Sequence, residues 1–376
     1  RRGAGDAAAG VGVVKVQLWR GELHYAGLTL HTAASGAINA LDTLWLQLDD
    51  AIGEVRLNTQ YLHGYSAEQV LQDVNRALAQ WRSTDCPQTL LDQLHANPTA
   101  LLAPTRMLLD MALHDLLAKR AQQSLAQWLG APTSGPAFAT NQTLFWGSEA
   151  QMVQQARHYV DRGFTQLKLR TGVADFDTDL ARLQRLRAEF GSRISLAIDV
   201  NGQWSLQQAL QALPRLCELE LSYVEQPLAV AEDAQLSKLS AFGMPIMLDE
   251  SLNSAAAIDR LIAAQGQLWG HLKLLKLGGI APTLAAARRL QAAGVPFMIG
   301  QMNEGHAATA AALQLCRVVQ PQFAELYGAD GLTDDAVSGL RYQHGNVEVQ
   351  GSYGLGVHFD ATRATFLKEF SDATAQ

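Results

Sequence analysis

Cysteine is scarce. Cys86, Cys217 and Cys316 are far apart and odd in number in a chain of 376 residues. No disulfide framework follows from that pattern, which suits free thiols in a reducing cytoplasm. Long apolar runs are missing too: no stretch approaches the ~18 residues that a membrane-spanning helix needs. Lys and Arg do not cluster, and the formal charge is −7, so neither a membrane nor a nucleic-acid partner is expected. What is present is an ordinary globular composition, 48% hydrophobic and 17% charged, in a chain long enough for a large core and two domains. Residues 1–11 open Arg-Arg and continue Ala/Gly-rich. Their apolar part is too short and weak for a secretory signal, so they are read as a disordered tail or cloning remnant outside the fold.

Periodicity divides the rest. Residues 12–60 read as β, with a strand from Val13 to Trp19 and another from Thr43 to Leu48 ending in an Asp49-Asp50 turn. Residues 20–40 mix Gly, His, Thr and Ser and read as a long loop. From 66 to 130 the pattern is helical: Ser66 is placed to cap one helix, and Pro104 to Gln127 reads as another. From about 136, short apolar runs alternate with Ala/Leu/Arg-rich helical segments. The strands are Phe164–Arg170, Ile194–Asp199, Tyr223–Glu225, Ile246–Asp249, Leu272–Leu275, Phe297–Ile299 and Phe323–Leu326. Such βαβ repetition closes most economically as an eight-stranded barrel. A doubly wound open sheet would carry a glycine-rich phosphate turn after its first strand, and there is none. Residues 340–365 return to a Gly-rich, β-like pattern expected to pack back on the first unit.

Charge punctuates the barrel region on a regular beat. Lys168 (with Arg170), Asp199, Glu225, Asp249 and Lys273 each end an apolar run, at steps of 31, 26, 24 and 24 residues. A parallel β/α barrel keeps its chemistry at the C-terminal ends of its strands. Three carboxylates on successive strands, with no histidine beside them, point to a hard cation with oxygen ligands, Mg²⁺ or else Mn²⁺. The alternative is that these carboxylates cap the following helices or end surface loops. Lys273 lies in an apolar strand, where an ammonium is costly unless it is paired or functional; a salt bridge to a carboxylate is the plainer reading. Strand parity puts Lys168 with Arg170 and Asp199 with Asn201. It sends Asp249 and Glu250 to opposite faces, and likewise Lys273 and Lys276, so these charges are not expected to form one cluster.

The words Lys168-x-Arg170, Asp199-Val200-Asn201, Glu225-Gln226-Pro227, Asp249-Glu250-Ser251 and Lys273-x-x-Lys276-x-Gly278-Gly279 resemble the enolase superfamily, in its mandelate racemase/muconate lactonizing enzyme branch and most of all its muconate-cycloisomerase-like members. Gly300-Gln301-Met302-Asn303-Glu304-Gly305, Glu325-Leu326-Tyr327-Gly328 and Gly354-Leu355-Gly356-Val357 extend the likeness. So do Gly53-Glu54, His63-Gly64-Tyr65-Ser66 and Asp115-Leu116-Leu117-Ala118-Lys119 in the first unit. The resemblance implies an α+β capping domain (12–134), a modified (β/α)7β TIM-type barrel (135–335) and a C-terminal segment (336–376) that returns to the cap. It implies Mg²⁺ or Mn²⁺ on Asp199, Glu225 and Asp249, with Lys168 as a fixed cation and Lys273 as proton carrier. The shared chemistry is proton transfer α to a substrate carboxylate through an enolate-like intermediate. A cytoplasmic homo-oligomer is the expected setting.

Arg170 departs from the pattern, because the family usually has a second lysine there. A guanidinium stays protonated and is a poor base, which counts against two-base racemisation. An ion pair with a ligand carboxylate is the plainer role for it. Glu325-Leu326-Tyr327 stands where dipeptide epimerases of this family typically carry two aspartates. Asn201, Glu304, Glu325, Tyr61 and His24 are candidate substrate contacts; His24 and Tyr61 belong to a loop set that also holds Tyr25, His31, Arg56 and His63. The leading expectation is a cycloisomerase-like isomerase or lyase on a small carboxylate. The alternatives are an acid-sugar or hydroxy-acid dehydratase, and a metal-binding homologue without turnover.

Overall fold

Alternating apolar residues bury one face of the first strands, and that face is covered by a helix. The computed structural model describes residues 14–26, 30–32, 36–131, 135–145, 147–264, 266 and 268–371. Residues 1–11, Val13 as the expected start of the first strand, the 132–134 boundary segment and the His31 side chain lie outside the description. An antiparallel sheet takes the order Thr365–Phe370, Val16–Leu23, Leu41–Leu48, Ala51–Arg56. The helix Ala103–Arg120 lies across it. At Gly53 a β-carbon would fall 2.2 Å from the Leu108 carbonyl oxygen, so this close approach needs glycine.

Several boundaries differ from the sequence reading. The first strand runs on to Leu23, and Leu30–Thr32 pairs with Gly36–Ile38, where a loop was expected. The long helix stops at Arg120 rather than Gln127. Gln122 takes φ 53°, and Ser124 starts a separate short helix, Leu125–Trp128, with its own capping box. Ser66 does cap Ala67–Leu78, through a capping box with Gln69.

Eight parallel strands form a nearly closed barrel: Gln142–Leu144, Gln166–Arg170, Ser195–Asp199, Val224–Glu225, Ile246–Leu248, Leu268–Lys273, Phe297–Gly300 and Phe323–Glu325. The first and eighth meet where Asn141 N–H donates to the Ala324 carbonyl at 3.1 Å. Gln142–Leu144 is the strand absent from the sequence reading; three residues carry too little periodicity to declare it. Helices follow most strands, but the fourth crossover, Val230–Phe242, is built of 3₁₀ turns. A lower layer of the barrel interior is apolar, with Ala197, Tyr223, Met247 and Met298 packed against Trp269 and Phe323. Each large side chain buried there contributes roughly 1.5–3 kcal/mol before entropy is counted. The charged residues sit one step further along the same strands. Among the described residues no helix is long and apolar enough to cross a membrane.

Buried carboxylates join the antiparallel unit to the barrel. Asp110, on the Ala103–Arg120 helix, accepts from the Ile280 and Ala281 N–H groups, which open the helix Ile280–Ala292. His95 Nε2 lies 2.7 Å from Asp110 and His114 Nδ1 3.3 Å. Glu54 accepts from Gly305 N at 2.7 Å and Ala307 N at 3.1 Å, at the start of the helix His306–Val319. Asp115 ties Ile52 N to Leu355 N at 2.9 and 2.7 Å. The hairpin Leu340–Gln343/Asn346–Val349 pairs with Ala137–Ala139, while Thr365–Phe370 pairs with Val16–Leu23.

Candidate active site

Each carboxylate expected to hold a metal ends a barrel strand or directly follows one, and each has a nitrogen donor on both oxygens. On Asp199, Arg170 Nη1 donates to Oδ2 at 2.8 Å and Asn201 N–H to Oδ1 at 3.0 Å. Glu225 accepts from Lys168 Nζ at 2.7 Å on Oε2 and from His271 Nδ1 at 2.8 Å on Oε1. Lys273 and Lys276 each lie 2.6 Å from one oxygen of Asp249. All these side chains are buried except Arg170, which is partly exposed. A carboxylate oxygen has two lone pairs, so every one of these oxygens keeps a lone pair beyond the donor named.

Two expectations are corrected here. Parity was to separate Lys273 from Lys276 and Asp249 from Glu250. The strands end at Lys273 and Leu248, however, and the chain turns at once into the helical turn Leu274–Leu277 and the turn after Leu248. Period two therefore lapses, both lysines reach Asp249, and Glu250 joins the cluster: Asn201 Nδ2 donates to its Oε1 at 3.1 Å. The second correction is His271. A histidine does stand among the carboxylates, and Glu225, Asp249 and His271 offer ligand atoms within 4.8 Å of one another. Its position two residues before Lys273, on the same face, was the available signal.

Charge sets the protonation states. Burial and Glu225 push Asp199 up to about 6, against the pull of Arg170 and Lys168. Burial also works against the charge of Glu225, but Lys168 and His271 outweigh it and hold the carboxyl at about 2. Burial opposes Asp249 likewise, yet Lys273 and Lys276 keep it well below the usual range. Glu250 is pushed up to about 7 by burial, Asp249 and Asp199. The amine of Lys273 is driven down by burial, but Asp249 and Glu325 raise it above its ordinary value. Lys168 is raised likewise, by Glu225, Glu325 and Asp199 over the burial penalty.

The open part of the cluster is a pocket of about 60 Å³ lined by Tyr61, Leu62, Arg170, Asn201, Asp249, Glu250, Lys273 and Met302. Tyr61 and Asn201, singled out from the sequence, line it; Leu62, Met302 and Glu250 were not. Glu325 lies deeper, bonded to Lys168 and to Asn141 Nδ2 at 3.0 Å. Glu304 is buried near Arg56, and burial pushes it up to about 7; its Oε2 accepts from Met302 N at 3.0 Å. His24 stands apart on the surface, with Nδ1 2.6 Å from Asp334 Oδ2 and its side chain 46% exposed. Tyr25 is bonded to the Gly328 carbonyl and to Asn303, and His63 to Thr59.

A divalent cation fits this donor set. Asp199, Glu225, Asp249, Glu250 and Glu325 outnumber Lys168, Arg170, Lys273 and Lys276, and Glu250 Oε2 is buried without a partner among the described residues. A family model, enolase C-terminal domain-like, matches residues 151–363. The chain belongs to the enolase superfamily. An L-Ala-D/L-Glu epimerase of Francisella tularensis subsp. novicida is 30% identical over 281 residues, 73% of this chain and 78% of the relative. A chloromuconate cycloisomerase of Cupriavidus necator is 32% identical over 257 residues, 67% of this chain and 69% of the relative. The solved dipeptide epimerase of Methylococcus capsulatus, complexed with Mg and the dipeptide L-Arg-D-Lys, superposes with a TM-score of 0.83 at 25% identity, over 92% of this chain and 99% of that one. The muconate lactonizing enzyme of Pseudomonas fluorescens, at 23% identity, shares the fold, with a TM-score of 0.84 over 94% of this chain and 98% of that one. This superfamily member is thus an enzyme whose relatives include epimerases and cycloisomerases.

Proposed function

We propose that this enolase-superfamily member is a divalent-metal-dependent isomerase or lyase, cycloisomerase-like, that moves a proton α to the carboxylate of a small acid with one base, Lys273. The observation that carries the reading is the pairing across the pocket: Lys273 on one strand end, and Arg170 rather than a second amine on another. Asp199, Glu225 and Asp249 hold Mg²⁺ or Mn²⁺ in this reading. The bound ion supplies Lewis-acid stabilisation of the second negative charge that forms on the substrate carboxylate.

The remaining work falls to the chain itself. Lys273 would act in its neutral form, which the Asp249 charge disfavours until that carboxylate is shared with a metal; it takes the α-proton, and the C–H electron pair passes into the carboxylate to give an enediolate. Lys168, fixed by Glu225 and Glu325, is a cation already in place for that charge, which saves reorganisation during the step. The pair then collapses, either expelling a β-substituent or taking the proton back from Lys273. Arg170 stays charged: burial opposes it, but Asp199 holds its pKa above the ordinary value. It orients groups and accepts no proton. Epimerisation needs a proton to leave one face and return on the other, which a single base opposite a guanidinium does not provide.

The proposal includes a cytoplasmic location, consistent with three free thiols, and a homo-oligomer, which light scattering tests. Calorimetry with Mg²⁺ and Mn²⁺ tests the metal. Binding is expected in the wild type and in Lys273→Ala, and is expected to be lost in Asp249→Asn. Heats that do not distinguish Asp249→Asn from wild type refute the site. A screen of muconates, N-acyl amino acids and hydroxy or sugar acids then identifies the substrate; water loss would mark a dehydratase.

A further inference from the structure

We infer that His271 is a positioning residue for Glu225, and that Gly300 is the residue that makes room for it. The inference rests on the reading of Glu225 as a metal ligand. His271 lies on the sixth barrel strand with its side chain inside the barrel, fully buried. Its Nδ1 is 2.8 Å from Glu225 Oε1 and 4.0 Å from Asp249 Oδ1. An ionised carboxylate only accepts, so the proton belongs on Nδ1. The other nitrogen supports that tautomer, because Nε2 is buried and has no hydrogen-bond partner among the described residues. A proton there would be a stranded donor, while on Nδ1 it is used.

The ring is held in this pose by what the next strand lacks. Gly300 pairs with Lys273 on the adjacent strand, and a β-carbon at 300 would fall 2.1 Å from His271 Nε2. No alanine fits there without displacing the imidazole. Glu225 is thereby gripped from both sides, by Lys168 on Oε2 and His271 on Oε1. Its carboxylate plane is fixed before any cation arrives. Partners that orient a metal ligand typically matter by about 10- to 100-fold in metal affinity.

The grip distinguishes His271 from ordinary core filling, since only a donor at the Nδ1 position can replace it. Asn offers an amide nitrogen near that position, and Leu fills space without a donor. Mg²⁺ titrations by calorimetry are run on wild type, His271→Leu and His271→Asn, with melting curves to confirm folding. The expected result is a roughly 10- to 100-fold weaker Mg²⁺ affinity in His271→Leu and recovery of most of it in His271→Asn. Wild-type affinity in His271→Leu, or equal weakness in both variants, overturns the inference. Imidazole ¹⁵N NMR of the metal-free wild type gives a reading that no unfolded variant can spoil. A proton on Nδ1 supports the inference, and a proton on Nε2 overturns it. Wild-type protein that binds no Mg²⁺ and no Mn²⁺ refutes the metal reading, and the inference falls with it; loss confined to His271→Leu leaves the metal reading standing.

Discussion

Two sets of buried carboxylates in this molecule are satisfied in opposite ways. At the junction between the antiparallel unit and the barrel, Glu54, Asp110 and Asp115 accept mainly from backbone N–H groups, at helix starts and turns. At the barrel mouth, Asp199, Glu225 and Asp249 accept mainly from Lys, Arg and His side chains, and Glu250 keeps an oxygen without a partner among the described residues. Backbone donors cannot move without unfolding a helix. Lysine and arginine side chains can swing to a substrate or share their carboxylate with a metal. Burial of a charge therefore does not mark a site by itself; the mobility of its partners and the presence of unspent atoms do.

The largest effect that would sharpen this contrast is on turnover. Lys273→Ala should lower it by about 10²- to 10⁴-fold, the usual worth of a general base, while urea denaturation shows a far smaller change in stability. Equal turnover in the variant would break the contrast on the mouth side. On the junction side, Asp110→Ala leaves the His95 imidazole and the Ile280 N–H without their acceptor and removes the carboxylate beside His114, whose Nδ1 keeps the Asp110 carbonyl. It should cost about 3 kcal/mol of unfolding free energy, with the turnover of the folded fraction unchanged. A variant that is fully stable but inactive would move Asp110 into the functional set. Ser66→Ala, which removes one exposed capping box, sets the scale for a local effect: about 1 kcal/mol in the same urea titration.

The smallest effect is on pH dependence. Burial lowers the His114 pKa, but the Asp110 carboxylate outweighs it and leaves the group raised above its ordinary value. A raised folded pKa means that this stabilisation is complete below the unfolded histidine value, about 6.5. It fades as pH rises through the folded one. Asp110 runs the other way. Burial would raise it, but His114 and His95 depress it, so its contribution is present above the unfolded carboxylate range and fades only in strong acid. Urea midpoints should therefore fall from pH 6 toward pH 9, and His114→Gln should flatten that slope. A midpoint that rises over this interval contradicts the assignment.

Much of this was legible in the sequence, and the exceptions have physical causes. The charged beat placed Asp199, Glu225, Asp249, Lys168 and Lys273 together because a parallel barrel returns each strand end to one rim. Parity failed where strands stop. Leu248 and Lys273 are the last strand residues, so the period of two could not be extended to Glu250 or Lys276. His271 was missed for the opposite reason: it obeys parity, but only distances across the barrel show its contact with Glu225. His24 looked like a pocket residue because loop histidines carry no periodic signal; its partner is Asp334, 310 residues away.

The account turns on a metal-supported enolate worked by a single base. The most direct test follows the α-proton by NMR in D₂O with Mg²⁺, on whichever acid of the screen the protein accepts. The account predicts deuterium entering with the configuration kept, and no exchange in Lys273→Ala although that variant still binds Mg²⁺. Deuterium entering with inversion, or exchange that survives in Lys273→Ala, would contradict it.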